Sequence, residues 1–271
     1  MKYDIKQGDC LELMKNIPDG SIDMILCDLP YGTTACKWDS VIPFEPLWEQ
    51  YKRIIKDNGA IMLFGSEPFS TELRHSNLKM YKYDWVWKKD GVTNFANAKK
   101  MPLRCIENIS VFYKNAPTYN PQGLVEVNKT MKNGASVGGE TLRGDIKNSA
   151  SKGKLRTEGH RYIQQFTNYP TQFIEFKRDN QNIHPTQKPI ALLEYLIKTY
   201  TNEGETVLDN CMGSGSTGVA CIHTNRNFIG MELEEKYFNI AKDRMESELN
   251  NIPYVKNDIH TNIKNEKVSL F

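Results

Sequence analysis

The chain has 271 residues, 35 Lys and Arg against 33 Asp and Glu, a formal net charge of +2 and 39% hydrophobic residues. That length holds one large α/β domain, or one domain with an insertion, and so balanced a charge leaves nucleic-acid and small-molecule substrates both open. No apolar run approaches the roughly 20 residues of a membrane span, and the polar start MKYDIKQGDC is no secretory signal. The six cysteines form no CxxC pair and no cluster with histidines, which argues against a zinc site and for a reduced cytoplasmic protein without metal.

Residues 21–28, SIDMILCD, read as a short buried strand after a polar turn. In residues 43–59, Leu47, Tyr51, Ile54 and Ile55 recur at helical spacing and Gly59 suits a C-cap. AIMLFG, residues 60–65, is a second buried strand. YKYDWVWKK and CIENISVFYK are two more, and Trp85 and Trp87 alternate along the first so that one of them faces the core. The texture changes over residues 115–183, which are rich in Gly, Ser, Asn, Lys and Arg. From Ala116 to Ile183 there are ten Lys and Arg against six Asp and Glu, the composition of a solvated insertion.

The α/β pattern then resumes. Residues 189–204 form an amphipathic helix with Pro at its start and Gly at its end. ETVLDN is a strand, GSGSTGVACIHT a glycine turn opening a helix, RNFIGME a strand, and LEEKYFNIAKDRMESELNN a charged last helix. A polar tail fills residues 251–271. Short apolar strands alternating with helices predict a doubly wound, mostly parallel sheet.

Two segments carry chemistry. VLDNCMGSGSTG contains Gly213-x-Gly215-x-x-Gly218 between a strand and a helix, and Glu232 ends the next strand 19 residues after Gly213. Glycines let backbone approach a ligand, and the acid accepts hydrogen bonds from ribose hydroxyls, so the pattern signals an adenosine cofactor. NAD would put a phosphate at the helix N-terminus. S-adenosylmethionine has no phosphate, and its cationic amino and sulfonium groups want carboxylates. Asp209 and Asp28 each end a strand, which suits a cation better than a pyrophosphate. The second segment is ILCDLPYG, which places Asp28, Pro30 and Tyr31 where a buried strand should end.

Together these segments resemble the amino-group DNA methyltransferases, in the permuted class whose catalytic motif precedes the cofactor motif. GDCLELM (8–14), DLPYG (28–32), HPTQKPIALLEYLI (184–197) and LDNCMGSGSTG (208–218) carry the match in order, with FIGMELEEKYF (228–238) in support. The resemblance implies a Rossmann-like methyltransferase fold that binds S-adenosylmethionine through Asp209, Gly213, Gly215, Ser216, Thr217 and Glu232. It sets Asp9 and Cys10 near the adenine, and His184, Thr186 and Lys188 beside the methionine end. Asp28, Leu29, Pro30 and Tyr31 would hold the target base, with Asp28 also bordering the cofactor. It implies residues 1–114 as a catalytic half, 115–183 as a target-recognition insertion and 184–250 as a cofactor half. Double-stranded DNA is then the partner, and such enzymes often pair as homodimers. Two departures stand out: the family's Asp-Pro-Pro-Tyr has Leu29 at its second place, and its Asp-Pro-Phe reads Asp209-Asn210-Cys211.

The exocyclic amine of adenine or cytosine is a weak nucleophile buried in the duplex, so the base must be flipped out. Asp28 and the Leu29 carbonyl would accept its two N–H bonds, and Tyr31 would stack on the ring. Aspartate at the first place favours adenine N6, with cytosine N4 as the alternative. An NAD-dependent oxidoreductase or a non-catalytic DNA-binding protein are the readings from other classes. Lys88, Lys89, Lys99, Lys100 and Arg104 could touch phosphates or simply be solvated, Asn94 and Phe95 could support the flipped base, and Cys27 and Cys36 read as packing residues.

Overall fold

The computed structural model describes residues 2–32, 40–132, 161–179, 187–252 and 254. In chain order its elements are β1 (Tyr3–Gln7), α1 (Cys10–Met14), β2 (Ile22–Cys27), α2 (Phe44–Ile54), β3 (Ile55–Gly65), α3 (Phe69–Ser76), β4 (Tyr81–Thr93) and β5 (Arg104–Phe112). There follow β6 (Val125–Lys132), β7 (Arg161–Thr167), β8 (Phe173–Glu175), α4 (Ile190–Tyr200), β9 (Thr206–Asp209), α5 (Ser216–His223), β10 (Asn227–Glu232) and α6 (Glu235–Leu249). The chain divides into a unit of Met1–Asn120 with Thr171–Phe271 and a smaller unit, Pro121–Pro170.

The larger unit is built on an eight-stranded sheet in the order β1-β10-β9-β2-β3-β5-β4-β8. Only β5 runs antiparallel to its neighbours, β3 and β4. Period-two alternation sends successive side chains to opposite faces. Met24, Leu26, Met62 and Phe64 pack on one face with Leu196 of α4, Val219 of α5 and Met245 of α6. Ile25, Cys27, Ile61 and Leu63 pack on the other with Met14 of α1, Tyr51 of α2 and Leu73 of α3. Two helical layers on a mostly parallel sheet are the doubly wound arrangement expected from the alternation. No helix among the described residues is long and apolar enough to cross a membrane.

Chain order sets where a ligand can sit. β9 leads through α5 to β10 on one side, while its neighbour β2 leads through α2 to β3 on the other. The carboxyl ends of β9 and β2 therefore flank the topological switch point, where the helices diverge and leave a crevice.

Three expectations need correction. Gly59 is not a helix C-cap: α2 stops at Ile54 and β3 begins at once, with Gly59 inside it. A Cβ at Gly59 would lie 2.9 Å from the Asp23 carbonyl oxygen, so glycine there allows β3 to approach β2 closely. Trp85 and Trp87 are both buried, because residues two apart on a strand share a face. The helix after Pro189 ends at Tyr200, well before Gly204. The smaller unit pairs β6 with β7 antiparallel, and Asn168 Nδ2 donates to the Gly123 carbonyl at 2.7 Å beside that pair. β8 lies within residues 115–183 yet is the edge strand of the main sheet, parallel to β4.

Candidate active site

A cavity of about 470 Å³ opens at the switch point, a size that suits a small-molecule ligand. Asp9, Cys10, Asp28, Leu29, Pro30, Tyr31, Lys188, Asp209, Gly213, Ser216, Thr217 and Glu232 all line it. Gly215 instead packs against α6: its φ is +80° and a Cβ there would lie 2.8 Å from that of Ala241. His184 and Thr186 lie outside the described residues, as does Cys36.

The glycine-turn side is held by local bonds. Thr217 Oγ1 donates to Asp209 Oδ2 at 2.6 Å, and the Cys211 amide donates to Oδ1 at 3.1 Å. Glu232 accepts from the Gly213 amide at 2.8 Å and the Glu234 amide at 2.9 Å. Asp9 caps α1, accepting from the Leu11 amide at 2.8 Å. Burial pushes the Asp209 carboxyl up to about 6, and it also raises Glu232.

Asn210, which replaces the family's proline, is buried and wired in place. Tyr51 Oη donates to its Oδ1 at 2.5 Å, and its Nδ2 sits 3.6 Å from Cys10 Sγ and 3.5 Å from Cys211 Sγ. Side-chain bonds thus hold the turn that a proline ring would otherwise stiffen. Burial pushes the Cys27 thiol up to about 12, so it packs as a neutral thiol and not as a nucleophile.

The β2 end is held differently. Tyr31 Oη donates to Asp28 Oδ1 at 2.6 Å, while Asp28 Oδ2 pairs with the Lys188 ammonium. Burial and the neighbouring Asp28 push the Tyr31 hydroxyl well above its ordinary value, which keeps it a donor. Phe69, at the start of α3, stacks on Tyr31 with centroids 4.8 Å apart. Burial raises the Asp28 carboxyl, against the pull of Lys188. Behind Lys188 stand Glu107 of β5, 3.4 Å from its ammonium, and Lys89 of β4, paired with Glu107.

Sequence reasoning passed over Glu107, Phe69 and the wiring of Asn210. Glu107 did leave a trace: it shares a strand face with Ile109 and Val111, an acid in an inward register. Phe69 left none, since nothing local says which ring it will meet.

Five carboxylates (Asp9, Asp28, Glu107, Asp209, Glu232) and three cations (Lys89, Arg178, Lys188) are among the described lining residues. Such an excess suits a cationic ligand and repels a pyrophosphate. The Gly213 amide, which a dinucleotide phosphate would claim, already donates to Glu232. The donor set therefore fits S-adenosylmethionine better than NAD.

Comparison with known proteins points the same way. YhdJ of Escherichia coli strain K12, a DNA adenine methyltransferase, is 30% identical over 259 residues, covering 89% of this chain and 82% of its own. The type II methyltransferase M.HpaI of Haemophilus parainfluenzae is 26% identical over 257 residues, covering 90% and 74%. A crystal structure of M1.HpyAVI with S-adenosylmethionine shares the fold, with TM-score 0.58 and 24% identity over 89% of this chain and 99% of that one. The family model described as DNA methylase matches residues 22–243, and the chain belongs to that family.

Proposed function

We propose that the chain transfers a methyl group from S-adenosylmethionine to the N6 amino group of an adenine flipped out of double-stranded DNA. The observation that carries this reading is the meeting of Asp28, Tyr31 and Asp209 in one cavity at the ends of adjacent strands. YhdJ, named as an adenine enzyme, supports the choice of base.

S-adenosylmethionine supplies an electrophilic methyl group on a sulfonium. Asp209 and Glu232 hold it, Asp209 as the buried anion for a cationic group and Glu232 as the ribose acceptor. Asp9 and Cys10 would border its adenine, and Lys188 its methionine end. Asp28 and the Leu29 carbonyl take one N–H each from the target amine, which draws the nitrogen toward tetrahedral geometry and frees its lone pair. Tyr31 occupies Asp28 Oδ1, so the amine's seat on this carboxylate is Oδ2, where Lys188 now rests. Stacking on Tyr31 returns about 1–3 kcal/mol of the flipping cost, and Phe69 fixes that ring from behind. Catalysis is then positioning and electrostatics, with no covalent intermediate on the protein.

Target recognition falls to residues 115–183 in this reading. The turn at Asn94–Asn97 adds a contact at the cavity rim, where Phe95 is 66% exposed two residues beyond the lining Thr93. A homodimer and a cytoplasmic place of work accompany the same reading. The test is a nucleoside digest of DNA incubated with the protein and methyl-labelled S-adenosylmethionine. Label in N6-methyladenine supports it; label in N4-methylcytosine, or none on varied DNA, overturns it.

A further inference from the structure

Asp28 does not stand alone behind the cavity. Four charged side chains from four separate segments alternate in sign through the interior: Asp28 after β2, Lys188 before α4, Glu107 on β5 and Lys89 on β4. Lys188 and Glu107 are 8% and 9% exposed. Each cation leans on an aromatic face, Lys188 over Phe64 at 5.1 Å and Lys89 over Trp87 at 5.6 Å. Strand register builds this arrangement. Trp87 pairs with Glu107, and Lys89 lies two residues further along the same face.

Buried ion pairs are a poor way to stabilise a fold, because desolvation offsets most of the attraction and apolar residues would serve as well. Four linked charges against a ligand cavity, two of them buried and two partly so, call for a functional cause. One atom supplies it. Glu107 Oε2 is buried, accepts no hydrogen bond from the described residues, and lies 3.4 Å from the Lys188 ammonium. It is a second seat for that ammonium, next to the one it occupies on Asp28.

We propose that Glu107 and Lys89 are positioning residues for methyl transfer: they give Lys188 an alternative anion, so that it can yield Asp28 Oδ2 to the incoming amine without leaving a buried charge unpaired. The inference rests on the reading of Asp28 as the amine's acceptor. With Lys188 on Asp28, the carboxylate is ionised and aimed. As the amine's N–H reaches Asp28, Lys188 slides toward Glu107 Oε2, and Lys89 keeps Glu107 charged throughout. No proton need move in this exchange.

The groups facing Asp28 are Tyr31 on its own loop, Cys27 on β2, Asp209 on β9, Glu107 on β5 and Lys188 before α4. Those facing Glu107 are Asp28, Tyr31 and the cations Lys188 and Lys89; the two cations together outweigh its burial and hold it below the ordinary carboxylate range. Burial opposes the Lys188 charge, but Asp28 and Glu107 outweigh it and raise that group.

The two variants should move the acid limb of kcat/KM against pH in opposite directions. Glu107→Gln removes the anion that opposes Asp28 ionisation and competes for Lys188. The limb should move to lower pH by roughly 0.5–1 unit, and the plateau should fall about tenfold because Lys188 stays clamped on Asp28. Lys89→Met leaves Glu107 with Lys188 alone, draws that ammonium off Asp28, and should move the limb upward; Lys89→Arg should restore it. Thermal melts establish that each variant is folded. Fixed charges alone would also move the two limbs apart, so the tenfold plateau loss in Glu107→Gln is what reports the lost second seat; an unchanged Glu107→Gln plateau, two unmoved limbs, or two moved the same way, overturn the proposal. If Glu107→Gln does not fold, Lys89→Met decides alone, and an unmoved limb refutes it. Asp28→Ala separates the two levels. Near-normal turnover in that variant sinks the acceptor role itself, whereas a dead Asp28→Ala with unshifted Glu107 and Lys89 variants sinks only this inference.

Discussion

Two acids sit at the ends of adjacent strands and are held by opposite means. Asp209 is tied by an amide two residues away and a hydroxyl eight residues away, both neutral donors in its own segment. Asp28 has one near partner, Tyr31, and its other oxygen rests on Lys188, 160 residues along the chain. Neutral, local donors hold a carboxylate in one place whether or not a ligand is there. A distant cation holds it only until something better arrives, and Lys188 has Glu107 to fall back on. A binding acid calls for the first arrangement, and an acid that must accept a changing partner calls for the second.

That contrast breaks most sharply at Asp28. Asp28→Ala should cut turnover by about 10²–10⁴-fold while cofactor binding survives. Single-turnover methyl transfer and calorimetry with S-adenosylmethionine read the two quantities separately, and near-normal methylation would refute the mechanism. Asp209→Asn should do the converse. It keeps the shape but loses the charge, and a charge-assisted hydrogen bond is worth about 1.5–3 kcal/mol. Cofactor affinity should drop about 10- to 100-fold, with turnover at saturating cofactor changed far less. Equal losses in both variants would erase the division of labour.

Proton linkage sharpens the same point. Burial raises Asp209 to about 6 in the folded protein, against an ordinary value of 3.8. A raised carboxyl favours its protonated form, so this contribution to stability is fully present below 3.8 and is lost as pH rises through about 6. A cationic ligand needs the ionised form. Affinity for S-adenosylmethionine should therefore be level above about pH 6 and fall by up to tenfold per unit below it. Isothermal calorimetry from pH 5 to 8 checks this; a flat affinity across the range would dissociate Asp209 from the cationic end of the cofactor.

How much of this was legible in the sequence follows the same division. Asp209, Gly213 and Glu232 are read from one short pattern because their bonds span 19 residues at most. The sheet was legible for a similar reason: ILC, IML and VLD report burial strand by strand. Glu107 was not, and Lys89 was read only as a phosphate contact or a solvated lysine, because the partners that explain them arrive from other strands, and a single acid in an apolar strand does not say what it will face. Trp85 and Trp87 were readable and were misread, since the period-two rule sets both on one face. Phe69 was out of reach, its meaning lying wholly in a ring contact with Tyr31.

That contact yields a smaller effect. Phe69→Leu keeps the site apolar but removes the stacked ring behind Tyr31. Aromatic pairs are worth about 0.5–1.5 kcal/mol beyond the area they bury, so kcat/KM for DNA should fall several-fold with cofactor affinity unchanged. Fluorescence of 2-aminopurine at the target position would report whether flipping is the step that suffers. An unchanged kcat/KM would deny Phe69 any part in holding the platform.

The smallest effect belongs to the family's missing proline. Leu29→Pro restores the usual tetrapeptide, and only the carbonyl of residue 29 is asked to do chemistry. Its amide has no backbone acceptor among the described residues, so a proline ring breaks no backbone bond there. The leucine side chain is 3% exposed and packs with Ile25 and Cys27. Proline is about one carbon shorter, a loss of about 0.8 kcal/mol per buried methylene. Against that, the ring restricts the unfolded chain and returns about 0.4–1 kcal/mol. The two nearly cancel, so the denaturation midpoint should hardly move and turnover should stay within a few-fold of the parent. A large loss of turnover with the fold intact would mean that the leucine side chain shapes the base pocket and that more than its carbonyl is at work.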